Sequence, residues 1–242
     1  PDFFLQLCNS MKKPLLISTC LLVLALAFTR CTKIGPEEIV DIPDPMFLSA
    51  LIDQCVDQNR DGMITFEEAE EILTIDLWGV GVSDLRGIEA FANLDTLRIY
   101  MNSLGTMDIS ENTSLRVLEC VGCELTALDI SGNIALEYLD VSGSSRQNYL
   151  SELDVSKNLK LEYLQCELNE IETLILPEYS SLTTLKCGRN KLTSIDVSSE
   201  TNLTTFTCNN NLLTNLDISS NTALTKMISC GNQLTFLDIS NN

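Results

Sequence analysis

Oxygen-bearing side chains recur at alternate positions of one short stretch of the chain. Asp57, Asn59 and Asp61 offer side-chain oxygens in this spacing. Gly62 follows where a sharp turn is needed, because a residue without a Cβ readily adopts a positive φ. Hard oxygen donors in a flexible ring are the ligands that Ca²⁺ takes in proteins. We therefore predict a Ca²⁺ site whose ligands are Asp57, Asn59, Asp61, the Met63 backbone carbonyl, Thr65 and Glu68.

The spacing of these donors matches the loop of an EF-hand over residues 57–68. Apolar residues at helical spacing flank the loop on both sides, so we predict a small helical, EF-hand-like cap over residues 45–74. The loop is single, and outside a cell such a site binds with a dissociation constant of about 0.1–1 mM. We interpret it as a site that stabilises the fold and not as a Ca²⁺ sensor. A turn rich in Asp and Asn that binds nothing is the alternative.

The residue composition excludes several classes of function. The chain has 242 residues, no histidine and a formal net charge of −19. Without histidine it cannot build a Ser-His-Asp triad, a Cys-His dyad or a histidine-ligated zinc site. Catalysis by carboxylates stays open in principle, but we predict no catalytic residues and no enzymatic activity. Its negative charge repels phosphate backbones, so we predict no nucleic-acid partner.

The first residues are typical of an export signal. Met11 is the expected start, two lysines follow it, and residues 15–28 carry no charge. This apolar stretch is shorter than the roughly 20 residues that span a bilayer, and it favours a signal peptide. We assign residues 1–30 to the signal region. Residues 31–44 contain two prolines, a glycine and several acids, which predicts a flexible tether.

A cysteine directly after this region is a candidate for lipidation. Phe28-Thr29-Arg30-Cys31 resembles a bacterial lipobox, although Phe28 and Arg30 depart from that pattern. We predict lipidation at Cys31 and membrane attachment through that lipid. Two alternatives stay open. Ala25-Leu26-Ala27 would suit ordinary signal peptidase and give a secreted protein, and the signal could also remain as an uncleaved anchor.

Leucines recur with a fixed period after residue 90. The period is 21 residues, except for one interval of 25. The leucines that define it are Leu94, Leu115, Leu136, Leu161, Leu182, Leu203 and Leu224. Each unit reads L-x-x-L-x-C-x-x-N-x-L with variation, which is the leucine-rich-repeat pattern. One unit cannot bury its own apolar edge, so we predict a leucine-rich-repeat solenoid over residues 75–242, with short parallel strands and an irregular convex side. The last unit shows no capping sequence, so we expect the C-terminus to be truncated.

Two further columns accompany the leucines. An asparagine near each bend is expected to satisfy backbone groups that the turn leaves unpaired, and Cys123 interrupts this column. The other column holds cysteines, which we predict to be buried reduced thiols, because strand geometry rarely permits a disulfide between neighbouring coils. The alternating segment Leu-Asp-Ile-Ser predicts a second strand on the convex side, with its aspartate facing solvent.

The order of signal, tether, acidic loop and repeats resembles a family of bacterial surface lipoproteins that carry leucine-rich repeats. Residues 213–224, which read LTNLDISSNTAL, show the resemblance best. Residues 75–93 form a variant first unit that is similar to internalin-type repeats. The resemblance implies a location at the outer membrane or cell surface, with secretion as the alternative. It also implies interaction with a host or a neighbouring cell surface.

Variable strand positions are expected to form the concave face of the solenoid. Exposed tyrosine on a curved surface is a residue type that anchors interfaces, and the first half of the repeats contains several. We predict a protein-binding face made of Arg98, Tyr100, Tyr138, Asp140, Tyr163, Gln165 and Glu167. Glu119 and Lys186 occupy the same variable strand positions. The alternative is that the tyrosines only pack along the sheet.

Together these features favour a binding or adhesion module outside the cytoplasm, acting as a monomer on a protein partner. Two other functions stay open. One is a structural spacer of the envelope without a specific ligand. The other is the non-catalytic part of a longer protein whose C-terminal domain is missing.

Overall fold

Each repeat contributes one short strand, and the strands stack in parallel with their leucines in register. A computed structural model of the protein describes residues 38–178, 181–239 and 242. The strands are β1 (Thr74–Trp78), β2 (Thr96–Tyr100), β3 (Val117–Val121), β4 (Tyr138–Asp140), β5 (Glu152–Asp154), β6 (Tyr163–Gln165), β7 (Thr173–Ile175), β8 (Thr184–Lys186), β9 (Thr205–Thr207) and β10 (Lys226–Ile228). The main sheet has the strand order β1-β2-β3-β4-β6-β8-β9-β10. The leucine-rich-repeat solenoid predicted from the sequence is confirmed.

The inward leucines of these strands form the core, because side chains in a strand alternate between two faces. Leu97 pairs with Leu118, and Leu118 pairs with Leu139. All three side chains are fully buried. Burying each one stabilises the fold by about 1.5–3 kcal/mol relative to exposure. That gain requires a neighbouring coil on each side, so the repeats stabilise one another.

The cysteine column lies in the same core. Cys120, Cys166, Cys187 and Cys208 are fully buried, and all seven described cysteines are free thiols. Burial raises the pKa of the Cys166 thiol, so this side chain stays protonated and packs as a small apolar group. Cys230, which lies one position beyond the column, is exposed.

Asparagines at the bends connect adjoining coils, as predicted. The Asn190 side-chain amide donates to the backbone carbonyls of Cys166 and Cys187, at 2.9 and 3.1 Å. Cys123 takes the equivalent place in its own coil, where its Sγ donates to the Ile99 carbonyl at 3.2 Å. At this position a thiol replaces the side-chain amide as the donor. A hydrogen bond to the preceding coil is therefore kept where the asparagine column is interrupted.

The convex side is less regular than the repeat predicts. β5 and β7 pair as a separate two-stranded parallel sheet. In the other described repeats the corresponding residues form no strand. The aspartates of these segments, Asp129, Asp154, Asp196 and Asp217, face solvent, and each accepts a hydrogen bond from the backbone amide of the serine two residues later, at 2.8–2.9 Å. Such bonds favour turns at these positions.

Residues 38–44, which the sequence predicts to be part of a flexible tether, pack against the cap instead. Ile39 forms an antiparallel bridge with Thr65, and the Val40 amide donates to the Ile64 carbonyl at 2.8 Å. Val40 is buried. The physical reason is the apolar side chains within this segment, which are removed from water only by lying against the folded chain.

Helices α1 (Pro45–Asp53) and α2 (Phe66–Glu70) flank the acidic loop, and a 3₁₀ helix (Ile88–Ala90) belongs to the first repeat. Residues 38–242 form one compact unit. Among the described residues no helix has the length and apolar character that crossing a membrane requires. The predicted signal region, the first part of the tether and Cys31 lie outside the described residues.

Candidate calcium loop and concave binding face

The predicted Ca²⁺ loop folds around the carboxylate of Asp57. This carboxylate accepts hydrogen bonds from the backbone amides of Arg60 and Gly62, at 2.6 and 2.9 Å. Gly62 has a φ of +85°, which explains why glycine stands at this turn. Asp57 is buried, so these amides replace water as the partners of its charge.

Glu68 closes the loop from its other end. Its carboxylate accepts from the backbone amides of Gln58 and Asn59, at 2.8 and 3.3 Å, and from that of Thr65 at 3.0 Å. The Thr65 hydroxyl accepts from the Glu68 amide at 3.2 Å, which completes a capping box at the start of α2. Burial opposes ionisation of Glu68, but the hydrogen bonds outweigh it and hold the pKa of Glu68 below its usual value.

The predicted ligands fit Ca²⁺ by their chemistry, since all six are oxygen donors. Asp57 and Glu68 both bind amides within residues 58–62, so two buried carboxylates are drawn to the same turn. Among the described residues, however, no three His, Cys, Asp or Glu side chains form a group that could hold a metal ion. The two carboxylates face backbone amides in this structure, and Glu68 would have to exchange amide donors for the ion. Ca²⁺ binding therefore stays a prediction.

On the concave face, the central outward residues of the strands form one row. Its members in strand order are Asp76, Arg98, Glu119, Asp140, Gln165, Lys186, Thr207 and Ile228. Adjacent strands of a sheet lie about 4.8 Å apart, so residues one repeat apart in the sequence become neighbours. Three of the seven predicted binding residues belong to this row, namely Arg98, Asp140 and Gln165.

Glu119 holds two of the predicted binding residues in place. Its carboxylate forms an ion pair with Arg98 at 3.0 Å and accepts a hydrogen bond from the Tyr100 hydroxyl. The Tyr100 ring lies beside Trp78, with 5.4 Å between the ring centroids. Trp78 is 68% exposed. We call Trp78, Arg98, Tyr100 and Glu119 the aromatic patch, which lies at the end of the face nearest the cap.

Tyr138 and Tyr163 stack on each other, with 4.3 Å between centroids and 2° between ring planes. The Lys186 ammonium lies 5.0 Å from the centroid of the Tyr163 ring. It donates to the Tyr163 hydroxyl at 2.8 Å and to the Gln165 side-chain oxygen at 3.1 Å. The tyrosines thus pack along the sheet, and both also keep part of their surface exposed on the concave face.

Asp140 is the most buried of the predicted binding residues. Its carboxylate accepts from the Ser142 amide at 2.9 Å and from the Ser142 hydroxyl at 2.6 Å. Burial, together with the nearby charge of Glu119, raises the pKa of Asp140 despite these hydrogen bonds. Glu167 lies over Gly188, where a Cβ would approach its Oε1 to 2.9 Å.

Trp78 is the residue that sequence reasoning misses. It pairs in register with Tyr100, so it occupies the same strand position one repeat earlier. An alignment of the variant first unit with the second unit would have matched Trp78 with Tyr100. The irregular spacing of the first unit hides this match in the sequence.

No protein-family model matches the chain, and no curated protein does either. Among solved structures, the chain is similar to internalin C2 from Listeria monocytogenes, with a TM-score of 0.65 and 17% identity over 87% of this chain and 94% of that one. It is also similar to the leucine-rich repeat domain of APL1B, with a TM-score of 0.56 and 19% identity over 95% of this chain and 72% of that one. At these identities the likeness shows the leucine-rich-repeat fold alone.

Proposed function

We propose that this protein is a non-enzymatic binding or adhesion protein outside the cytoplasm, which contacts a protein partner through its concave face. Lipidation at Cys31 attaches it to the outer membrane or cell surface in this proposal, with a secreted form as the alternative. Ca²⁺ in the loop at 57–68 stabilises the cap, and the protein acts as a monomer. The observation that carries the proposal is the exposed Trp78 beside side chains held by Glu119.

The aromatic patch has the residue types that dominate the binding energy of protein interfaces, namely Trp, Tyr and Arg. Arg98 and Tyr100 are held by Glu119 before any partner arrives, so binding costs them little side-chain freedom. Trp78 leaves a large apolar area in water, and a partner that covered it would gain that burial.

The proposed role of Ca²⁺ rests on how the loop is connected. Residues 38–40 bond to the end of the loop, through the Val40 amide to the Ile64 carbonyl at 2.8 Å and the Phe66 amide to the Glu38 carbonyl at 3.1 Å. An ion that ordered the loop would therefore also stabilise the N-terminal segment that runs along it.

The test is capture of partners from intact cells and from extracellular matrix with the purified, tagged protein. We expect the wild type to capture a protein that the double variant Trp78→Ala, Tyr100→Ala loses. Ile134→Ala is the control, because Ile134 is 61% exposed but lies in a turn outside the concave row. Capture that survives the double variant would refute the aromatic patch as the contact. Failure to capture any protein would favour the structural spacer.

Lipid attachment has a separate test. Cys31→Ser is expected to move the protein from the membrane fraction to the soluble fraction and to remove labelling by a fatty-acid analogue. Labelling that persists in Cys31→Ser would refute attachment at this residue.

A further inference from the structure

We propose that the concave face between Glu119 and Glu167 receives a lysine- or arginine-bearing segment of the protein partner. The partner's cationic group would lie near Asp140 and Glu167, beside the stacked rings of Tyr138 and Tyr163. This inference rests on the proposed function, because it names the chemistry of the partner at the same face.

Two carboxylates of this region form no ion pair within the described chain, although the charge of the nearby Lys186 partly offsets that of Asp140. Glu119 is paired with Arg98 at 3.0 Å, but neither Asp140 nor Glu167 forms an ion pair with a described lysine or arginine. Asp140 is also buried, and its hydrogen bonds come from the neutral Ser142. A shielded carboxylate that forms no ion pair is costly, so a cation from a partner that contacted it directly would relieve that cost.

The rings beside these carboxylates already hold an ammonium group. Lys186 lies over the Tyr163 ring and donates to two neutral oxygens, those of Tyr163 and Gln165. Ring faces attract cations because their π electrons are negative. Burial raises the pKa of Tyr163, and the negative charges of Asp140 and Glu167 near this ring raise it further. The chain's own lysine therefore shows the contact that a partner's cation would make.

The net charge of −19 attracts any cationic partner, so total charge by itself cannot locate a site. The convex aspartates provide the contrast. Asp196 and Asp217 are exposed, and each accepts a hydrogen bond from the serine two residues later. They have the same charge as Asp140 and Glu167, but the residues that line the groove between them are Thr193, Ser194, Ile195, Ser198, Thr214 and Asn215, none of which is aromatic. Local geometry therefore favours the concave pair.

The experiment measures binding of a fluorescein-labelled octalysine peptide to the purified protein by anisotropy, with an uncharged Gly/Ser peptide as the reference. Asp140→Asn with Glu167→Gln should weaken octalysine binding by about tenfold, since both compensating charges are removed. The charge-matched control, Asp196→Asn with Asp217→Asn, should change it by less than about twofold, because exposed charges contribute little. Circular dichroism checks that both variants are folded.

A second pair of variants tests for tighter octalysine binding, which misfolding would not produce. Lys186→Met removes the chain's own cation from the ring and should tighten octalysine binding by about threefold. Lys157→Met removes the same charge from the convex groove, where Lys157 lies near Asp154, and should leave binding within about twofold.

Equal weakening by the concave and convex acidic pairs would overturn the inference, because binding would then follow total charge. Binding of octalysine no tighter than that of the uncharged peptide would overturn it as well. Either result leaves the proposed function in place as long as capture from cell surfaces still depends on Trp78 and Tyr100. The two claims can therefore fail separately.

Discussion

Asp44 and Ser83 lie 39 residues apart and are joined by two hydrogen bonds, from the Ser83 amide at 2.8 Å and the Ser83 hydroxyl at 3.0 Å to one oxygen of the Asp44 carboxylate. The other oxygen accepts from the amides of Met46 and Phe47 and so caps α1. Burial opposes the charge of Asp44, but these bonds outweigh it and lower the pKa of Asp44. One buried carboxylate thus fastens the helical cap to the first repeat.

Asp44→Ala should lower the free energy of unfolding by about 2–4 kcal/mol, because a helix cap and several hydrogen bonds to a charged group are lost together. The folded pKa of Asp44 is depressed, so this contribution is present above the ordinary value of 3.8 and is lost as pH falls through the folded value. Urea unfolding at neutral and acidic pH measures both effects. Asp41→Ala is the control, since Asp41 is exposed in the same segment. Equal effects of the two substitutions would contradict the role of Asp44.

Ca²⁺ should raise the melting temperature. At about 10 mM Ca²⁺, a site with a dissociation constant of about 0.1–1 mM adds about 1.4–2.7 kcal/mol. Asp57→Asn and Glu68→Gln should abolish the shift, because they remove ligand charge and keep acceptors for the loop amides. Glu67→Gln, at an exposed position, should retain it. A wild-type melting temperature that is equal with Ca²⁺ and with a chelator would refute the Ca²⁺ site.

Gly87 should tolerate alanine less well than Gly81. Both have a positive φ, +100° and +82°, but a Cβ on Gly87 would lie 2.6 Å from Ile42 Cγ1, whereas a Cβ on Gly81 meets nothing within 4 Å. Gly81→Ala measures the backbone strain alone, about 1–2 kcal/mol. Gly87→Ala should lower the free energy of unfolding by about 1–3 kcal/mol more, because residues 40–42 must shift to make room for the Cβ. Denaturant unfolding measures both, and similar costs would show that the segment does not pack on Gly87.

Asn148→Ala should destabilise the solenoid by about 2–4 kcal/mol, because buried backbone groups of the preceding coil lose their partners. The Asn148 side chain donates to the Cys120 carbonyl at 2.8 Å and accepts from the amides of Cys123 and Leu125 at 2.9 and 3.1 Å. Asn202→Ala, at an exposed position, should change stability by less than about 0.5 kcal/mol. Thermal and urea unfolding measure the difference. An unchanged free energy of unfolding for Asn148→Ala would mean that water replaces the hydrogen bonds of the Asn148 side chain.

Asp140→Asn should stabilise the protein at pH 7. Burial and Glu119 raise the pKa of Asp140, so the folded chain holds this proton more tightly than the unfolded chain does. The contribution of Asp140 to stability is therefore full below the ordinary value of 3.8 and falls as pH rises through the raised value. Asparagine can accept the same bonds from Ser142 without a charge.

Thermal unfolding of wild type and Asp140→Asn at pH 7 and at about pH 3 tests this prediction, since a carboxyl with a raised pKa is protonated at the lower pH. The gain should be present at neutral pH and absent in acid. A gain of equal size at both values would assign it to packing and not to charge.

The leucine period is enough to predict the solenoid, because an apolar residue repeated at a fixed interval is removed from water only when successive coils stack. The buried cysteine and asparagine columns follow from the same period. The period carries no information about the residues that precede it. For that reason the sequence predicts a tether at residues 38–44, where the structure shows packing against the cap.

The leucine period is sufficient to predict the repeating backbone and the residue types that face inward. The contacts between outward side chains become visible only in the folded chain. Glu119 contacts Arg98 and Tyr100, which are 21 and 19 residues away, because β2 and β3 pair in register. Local periodicity specifies which side of a strand a residue occupies, whereas contacts between coils depend on strand register and side-chain rotamers, and no short stretch of sequence encodes these.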